Sequence, residues 1–269
     1  MKWMMDGKRP VVSIVTPVYN VENFITQTMD SVRAQTFQDW EWLLVDDCGK
    51  DHTMDVIQAY LESTGETRIK VLRMEQNMGA ARARNKGLYE SAGRYLTYID
   101  ADDLWEPEKL EKQVRFMQER DAAFSFTGYE FADENGKGLG KIVKVPETID
   151  YKEALKNTTI FTSTVMFDTE KLPKEELEMP VIKSEDTALW WRVLRKGTLA
   201  YGLNENLVKY RRAGKSLSSN KLEAVRRIWN LYRKAEGMSI PARIEMMAIT
   251  TSSSISVKRR SVLRFGYAE

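Results

Sequence analysis

Three runs of this sequence are apolar at nearly every position, and each ends abruptly in polar or acidic residues. VVSIVT at 11–16 runs into Pro17, Tyr19 and Asn20; WLLV at 42–45 into Asp46 and Asp47; YLTYI at 95–99 into Asp100, Asp102 and Asp103. A strand that is apolar on both of its alternating faces has to be covered on both, which is the condition of a parallel strand inside a layered sheet. Helical patterns separate the runs. Residues 21–35 place Phe24, Ile25, Met29 and Val32 on one face, a second helix is expected over 53–61, and a third follows Gly79 through Tyr89. A weaker strand, IKVLR at 69–73, lies between the last two. Strand–helix alternation of this kind predicts an α/β, Rossmann-like, mostly parallel sheet with helices on both faces. The carboxyl ends of such strands are the usual binding edge, and all three polar clusters fall there.

The second half continues the pattern less regularly. After Pro107 a helix carries Leu110, Val114 and Met117, a strand is expected over 123–127, and DENGKG at 133–138 reads as a hairpin turn. TSTVMF at 162–167 reads as another strand, 172–180 as a polar loop, and a helix starts near Asp186 with Trp190, Val193 and Leu194 available for packing. Apolar residues recur at helical spacing from Leu222 to Tyr232. The stretch from 250 to 265 is polar and basic and carries no assignable pattern.

Composition narrows the function classes. The chain has 269 residues, a formal net charge of +2 and one cysteine, Cys48. That balance gives no global argument for nucleic acid, and a single cysteine excludes an internal disulfide or a thiolate zinc cluster and fits a reducing compartment. No apolar run reaches the roughly 20 residues needed to cross a bilayer, and the first residues lack the apolar stretch of a signal peptide. The expected location is the cytoplasm.

Asp100-Ala101-Asp102 puts two acids at i and i+2, which point the same way in extended backbone. Like charges this close repel unless water or a cation takes them up. Either they hold Mg²⁺ or Mn²⁺, ions that bind through one or two carboxylates plus substrate phosphates, or Asp102 or Asp103 caps the helix near Pro107 and the others face water. In VDDCGKDHT at 45–53, Asp46 and Asp47 end a strand, Cys48 and Gly49 allow a tight turn, and Asp51 can cap the next helix. His52 has no evident partner and reads as a solvated or capping residue. NMGAARARNKG at 77–87 sets Arg82 and Arg84 in the first turns of a helix, an arrangement suited to phosphate or to a solvated face. Neither the dinucleotide G-x-G-x-x-G nor the phosphate-loop pattern occurs. Glu185 and Asp186 open an aromatic helix, either as cap and dipole partners or as a general base. Arg211, Arg212 and Lys215 surround Gly214 in a basic loop.

Taken together and in order, SIVTPVYN at 13–20, VDD at 45–47 with Asp51, NMGAARARNKG at 77–87, YIDADDLW at 98–105, SED at 184–186 and YRRAGKSLS at 210–218 resemble the inverting GT-A glycosyltransferases of family 2, with a flavour of bacterial surface-polysaccharide enzymes. Two positions depart from the pattern: Cys48-Gly49 stands where Gly-Ser or Ser-Ser is common, and His52 where many members have Gly.

The resemblance implies a GT-A domain over 9–218, its nucleotide-sugar half at about 9–105 and its acceptor half at about 106–218, followed by a helical and basic extension over 219–269. Thr16, Pro17 and Tyr19 would line the nucleobase pocket, with Asp47 bonding the base, Arg84 near the nucleotide and Asp100 approaching the ribose. Asp102 would hold the metal, Mn²⁺ or Mg²⁺, that bridges the diphosphate. Asp186 would be the base that deprotonates the acceptor, and the basic loop around Arg211 would close over the diphosphate. The implied partners are a nucleotide-sugar donor, with a UDP-sugar first, and a saccharide or lipid-linked saccharide acceptor. The 222–234 helix and the basic residues from Lys258 to Arg264 are candidates for contact with the inner face of the cell membrane, or else a packed helix and a solvated tail. The rival readings are a sugar nucleotidyltransferase, for which a glycine- and lysine-rich loop after the first strand is missing, and a non-catalytic carbohydrate- or lipid-binding module.

Overall fold

The computed structural model describes residues 9–156, 159–212, 221–234, 236–244 and 246–247. The expected alternation is present through the first half: β1 (Val12–Val18), α1 (Ile25–Arg33), β2 (Trp40–Asp46), α2 (Thr53–Thr64), β3 (Ile69–Arg73), α3 (Ala80–Glu90) and β4 (Tyr95–Tyr98). β1 pairs in parallel with both β2 and β4, and β2 with β3. The chain thus steps outward from β1 to β3 and returns to the other side of β1 with β4. That reversal opens a crevice at the carboxyl ends of β1 and β4, where an open α/β sheet binds its ligand.

Beyond β4 the elements are β5 (Leu104–Trp105), α4 (Lys109–Glu119), β6 (Phe124–Ala132), β7 (Gly138–Val143), β8 (Thr148–Ile149), α5 (Tyr151–Lys156), a 3₁₀ turn (Thr162–Thr164), β9 (Met166–Asp168), α6 (Lys174–Leu177), α7 (Glu185–Arg195), β10 (Ala200–Arg211) and α8 (Lys221–Lys234). One sheet continues through this half in the order β3-β2-β1-β4-β9-β6-β10-β5. β9 is antiparallel to both β4 and β6, and β6 and β10 are parallel. β5, β7 and β8 add antiparallel pairings at the periphery.

Alternate residues of the strands feed two separate cores. Ile14, Trp42 and Leu44 pack with Ile25 and Met29 of α1, Ile57 of α2 and Leu110 and Val114 of α4. Val15, Leu43 and Leu96 face the other side, with Leu88 of α3, Leu189 and Trp190 of α7 and Tyr232 of α8. The sheet is therefore covered on both faces, which is why its central strands are apolar at consecutive positions. Tyr232 stacks on Trp191 at a centroid distance of 5.2 Å, so α8 is a packed helix. Among the described residues no helix is long and apolar enough to cross a membrane. Lys215 and the basic residues 258–264 lie outside the described residues.

Several sequence expectations need correction. The run at 162–167 is not one strand: three residues form a buried 3₁₀ turn before β9 begins at Met166. Neither Asp102 nor Asp103 caps α4, because β5 intervenes and the residue preceding that helix, Glu108, makes no side-chain cap. The 12-residue β10 had no counterpart in the sequence reading; register shifts on either side of Asn206 break its alternation.

Gly87 on α3 explains the last residue of the NMGAARARNKG segment. A Cβ there would overlap the Val15 side chain on β1, so glycine lets the helix lie close against the strand. Gly87→Ala should lower the stability of the protein by about 1–3 kcal/mol despite the better helix propensity of alanine. Urea denaturation checks this, and a stabilised variant would contradict the packing argument.

Candidate active site

The crevice is lined by the turns that follow β1, β2 and β4, by the start of α7 and by the end of β10. Asp47 follows β2 and is buried. Its Oδ1 accepts the N–H of Met78 at 2.7 Å and its Oδ2 that of Gly79 at 2.9 Å, while Asn77 donates to its carbonyl. The carboxylate thereby fixes the loop ahead of α3. Asp51 acts at the next helix, accepting from the N–H and hydroxyl of Thr53. His52 is exposed; its ring pairs with Asp55 and its N–H donates to Glu22 Oε2 at 2.7 Å. Thr16 is fully buried, and its hydroxyl accepts the Trp42 indole N–H at 2.9 Å. Pro17 is half-buried, and Tyr19 is exposed beside the left-handed turn at Asn20.

Arg84 projects from α3 into the protein and is 5% exposed. Its Nη2 bonds Asp100 Oδ1 at 2.7 Å and its Nη1 bonds Glu185 Oε1 at 2.8 Å. Burial disfavours its charge, but the two carboxylates outweigh burial and hold the guanidinium above its ordinary value. Glu185 is pushed upward by burial against the pull of Arg84, with the neighbouring Asp186 adding to the rise. The two acids at the start of α7 are thus unequal. Glu185 is committed to a cation, whereas among the described residues the Asp186 carboxylate accepts only from the hydroxyls of Thr162 (2.9 Å) and Thr187 (3.2 Å) and from the Thr187 N–H.

The acidic turn is sunk into the domain. Asp103 is completely buried; its Oδ2 accepts from Ser163 Oγ at 2.6 Å and its Oδ1 from the Arg211 N–H at 3.1 Å. Burial and the charges of Asp102 and Asp100 raise it well above the usual carboxylate range. Asp102, beside it, is pushed up to about 6 by burial and by the charge of Asp100. The turn is tied to α1 by Thr28, whose hydroxyl lies 2.9 Å from the carbonyl oxygens of both Ala101 and Asp103. Beneath it, Lys109 is fully buried, with Nζ 2.9 Å from Thr97 Oγ1 and 3.7 Å from the centre of the Trp105 ring. Burial depresses its charge strongly.

Arg211 ends β10 facing this turn. It is buried, its Nη2 donates to Gln27 Oε1 at 2.8 Å, and its guanidinium sits 4.9 Å from the centre of the Phe24 ring. Its Nε and Nη1 have no partner among the described residues. Burial lowers Arg211 below its ordinary value against the pull of Asp102 and Asp103. A buried guanidinium with unused donors beside a raised carboxylate is a pairing suited to an anion with its cation. Among the described residues no three His, Cys, Asp or Glu side chains are arranged to enclose a metal ion. The donor set therefore fits an ion held by Asp102 and completed by substrate oxygens, not one caged by protein.

The structure brings Asp100, Asp102, Arg84, Arg211 and Asp186 to one crevice edge. It gives Asp47 and Thr16 internal partners as well. Asp103, Gln27, Thr162, Ser163 and Lys109 were not singled out as site residues from the sequence. In the sequence Asp103 reads as one acid of a possible metal-holding cluster or as a helix cap, and the TST triplet reads as strand.

Residues 13–171 match the sequence model of glycosyl transferase family 2. The chain belongs to that family. It is a glycosyltransferase, which sets aside the nucleotidyltransferase and the non-catalytic module. It is similar, at 46% identity over 233 residues (86% of this chain and 91% of the relative), to the Bacillus subtilis (strain 168) protein TuaG, named as a teichuronic acid biosynthesis glycosyltransferase. It is 35% identical over 223 residues, 82% of this chain and 85% of the relative, to Escherichia coli WfgD, a UDP-Glc:alpha-D-GlcNAc-diphosphoundecaprenol beta-1,3-glucosyltransferase. In fold it resembles residues 1–349 of S. aureus TarS in complex with UDP, with a TM-score of 0.65 at 20% identity over 96% of this chain and 75% of that one. It also resembles the mannosyltransferase PcManGT from Pyrobaculum calidifontis in complex with GDP-Man and Mn²⁺, at a TM-score of 0.67 and 15% identity over 97% of this chain and 80% of that one. The GT-A architecture expected from the sequence is the one observed.

Two predictions come from this geometry. Arg84→Met should strand two half-buried carboxylates and cost about 3 kcal/mol; adding Glu185→Gln should restore part of that loss in urea denaturation, and strictly additive losses would contradict the shared-cation account. The second concerns Asp102. Its folded value near 6 lies above the ordinary 3.8, so the folded protein binds a proton more readily than the unfolded chain. Stability therefore falls as pH rises from about 4 to about 6. Without metal, Asp102→Asn should melt higher than the wild type at pH 8, with the difference fading near pH 4; thermal melts that rank the two the other way at pH 8 would contradict it.

Proposed function

We propose that this enzyme is an inverting glycosyltransferase that moves a sugar from a nucleoside diphosphate, with a UDP-sugar first, to a hydroxyl of a saccharide or lipid-linked saccharide in cell-surface polysaccharide synthesis. The observation that carries the reading is the inequality of Glu185 and Asp186. A general base has to be free to take a proton. Glu185 is held by the Arg84 guanidinium at 2.8 Å, while among the described residues the hydrogen-bond donors to Asp186 are all neutral.

In this reading Asp186 removes the proton from the acceptor hydroxyl as its oxygen attacks the anomeric carbon. The bond from that carbon to the diphosphate breaks, and the electron pair leaves with the nucleoside diphosphate. One carboxylate suffices for a single displacement, so an α-linked donor gives a β-linked product. A retaining double displacement would need a nucleophilic carboxylate beside the sugar. Arg211, close to Asp102, would set its positive charge against the charge that develops on the diphosphate. Asp102 would hold Mn²⁺ or Mg²⁺, which when bound supplies positive charge against the leaving group. Asp100, already oriented by Arg84, faces the ribose. Asp47 retains lone pairs for a base N–H while it holds the 77–79 loop, and Pro17 and Tyr19 border the base, with Thr16 supporting them from below.

The relatives support the donor and acceptor classes. WfgD is named for UDP-Glc and a diphosphoundecaprenol-linked sugar, and TuaG for teichuronic acid biosynthesis. An acceptor on a polyprenyl carrier would bring the enzyme to the inner face of the cell membrane. The test is a transfer assay with UDP-glucose, UDP-galactose and UDP-N-acetylglucosamine against an N-acetylglucosaminyl diphospholipid, with the anomer of the product read by NMR. A β-linked product from an α-linked donor is expected. Asp186→Asn should keep UDP binding and lose about 10²–10⁴-fold in kcat. A retained anomer, or a fully active Asp186→Asn, would overturn the proposal.

A further inference from the structure

The mechanism proposed above leaves open which oxygen of Asp186 takes the proton and what aims it. An ionised carboxylate has about four lone-pair sites, two on each oxygen. Oδ1 of Asp186 receives two donors, the Thr187 N–H at 2.6 Å and the Thr187 hydroxyl at 3.2 Å. Oδ2 receives one, the Thr162 hydroxyl at 2.9 Å. Among the described residues one lone pair of Oδ2 is left without a donor.

We infer that Oδ2 is the proton-accepting atom of Asp186 and that Thr162 is the positioning residue that aims it. The inference rests on the reading of Asp186 as base. Thr162 is suited to the task because it does not move independently. It opens the 3₁₀ turn Thr162–Thr164, whose three residues are each at most 2% exposed. The turn is fastened from several directions. Ser163 Oγ accepts the Asp100 N–H at 3.0 Å and donates to Asp103 Oδ2 at 2.6 Å. The Ser163 carbonyl accepts the Trp105 indole N–H at 2.8 Å, and the Thr164 carbonyl accepts from Gln113 Nε2 at 2.9 Å. Asp103 in turn takes the N–H of Arg211. One buried turn thus holds the carboxylate at the acceptor side through Thr162 and the acidic turn at the donor side through Ser163. The reacting groups on α7, after β4 and at the end of β10 share a common support, and their relative placement is fixed before substrate arrives.

Thr162→Val keeps the shape of the side chain and removes the donor. With UDP-glucose, or whichever UDP-sugar the wild type turns over, this variant should lose about 10- to 100-fold in kcat while its donor KM stays within about twofold. Thr162→Ser restores the hydroxyl and should recover most of the rate, a rescue that a purely structural role for the threonine methyl would not give. In an Asp186→Asn background, Thr162→Val should have almost no further effect, because the group it aims is gone. If Thr162→Val fails to fold, the comparison of Thr162→Ala with Thr162→Ser carries the same contrast. A wild-type kcat in the hydroxyl-free variant, equal loss in the serine variant, or multiplicative effects with Asp186→Asn would each overturn the inference. A fully active Asp186→Asn would instead remove the base assignment itself, so the two failures are distinguishable.

Discussion

A guanidinium almost removed from water stays charged only if counter-charges are already in place, and Arg84 depends on two of them. It reaches Asp100 after β4 and Glu185 at the start of α7, residues 85 positions apart in the chain. The pair of contacts ties the start of α7 to the end of β4 through α3. It also divides labour between two adjacent acids: Glu185 neutralises the buried cation, and Asp186 is left with hydroxyl and amide partners. Loss of the shared guanidinium would leave two carboxylates without their cation in a largely desolvated setting, a cost of several kcal/mol. The α3 helix that carries Arg84 is itself placed closely against β1 by Gly87. Packing, charge balance and the geometry of the crevice are consequently one problem for this chain.

The acidic turn shows the opposite balance. Asp102 and Asp103 are held where burial and mutual repulsion both raise the energy of their charged forms. A fold selected for stability alone would not keep three aspartates there. Asp103 resolves its own share through Ser163 and the Arg211 amide, and it spends both oxygens doing so. Among the described residues Asp102 has no comparable side-chain donor, and Nε and Nη1 of the nearby Arg211 have no partner. In the proposed reaction, the donor diphosphate and its cation fill that deficit together.

Much of this was legible in the sequence. Consecutive apolar residues in β1, β2 and β4 announced strands covered on both faces, and the polar residues that end them marked the crevice edge, because a parallel sheet aligns its carboxyl ends. The family resemblance then separated Asp186 from Glu185, which spacing alone could not do; the structure adds a physical reason, the ion pair with Arg84. Other features left no local trace. The TST triplet has the composition of a strand, and only the fold turns it into a buried bracket under the site. The bulges around Asn206 hid β10 by breaking its alternation. Lys109 drew no reading from the sequence, and it is fully buried against Thr97 and Trp105. Burial of a charged residue depends on what packs over it, and sequence periodicity does not carry that information.

The claim on which the rest turns is that the crevice binds a nucleoside diphosphate and a divalent ion together, with Asp102 and Arg211 short of partners until both are present. Calorimetric titration of the wild-type protein with UDP, with and without Mn²⁺, measures this most directly. The account predicts binding that strengthens at least about tenfold, or about 1.4 kcal/mol, when Mn²⁺ is present. Equal affinity with and without the ion, or no binding of UDP in either case, would contradict it.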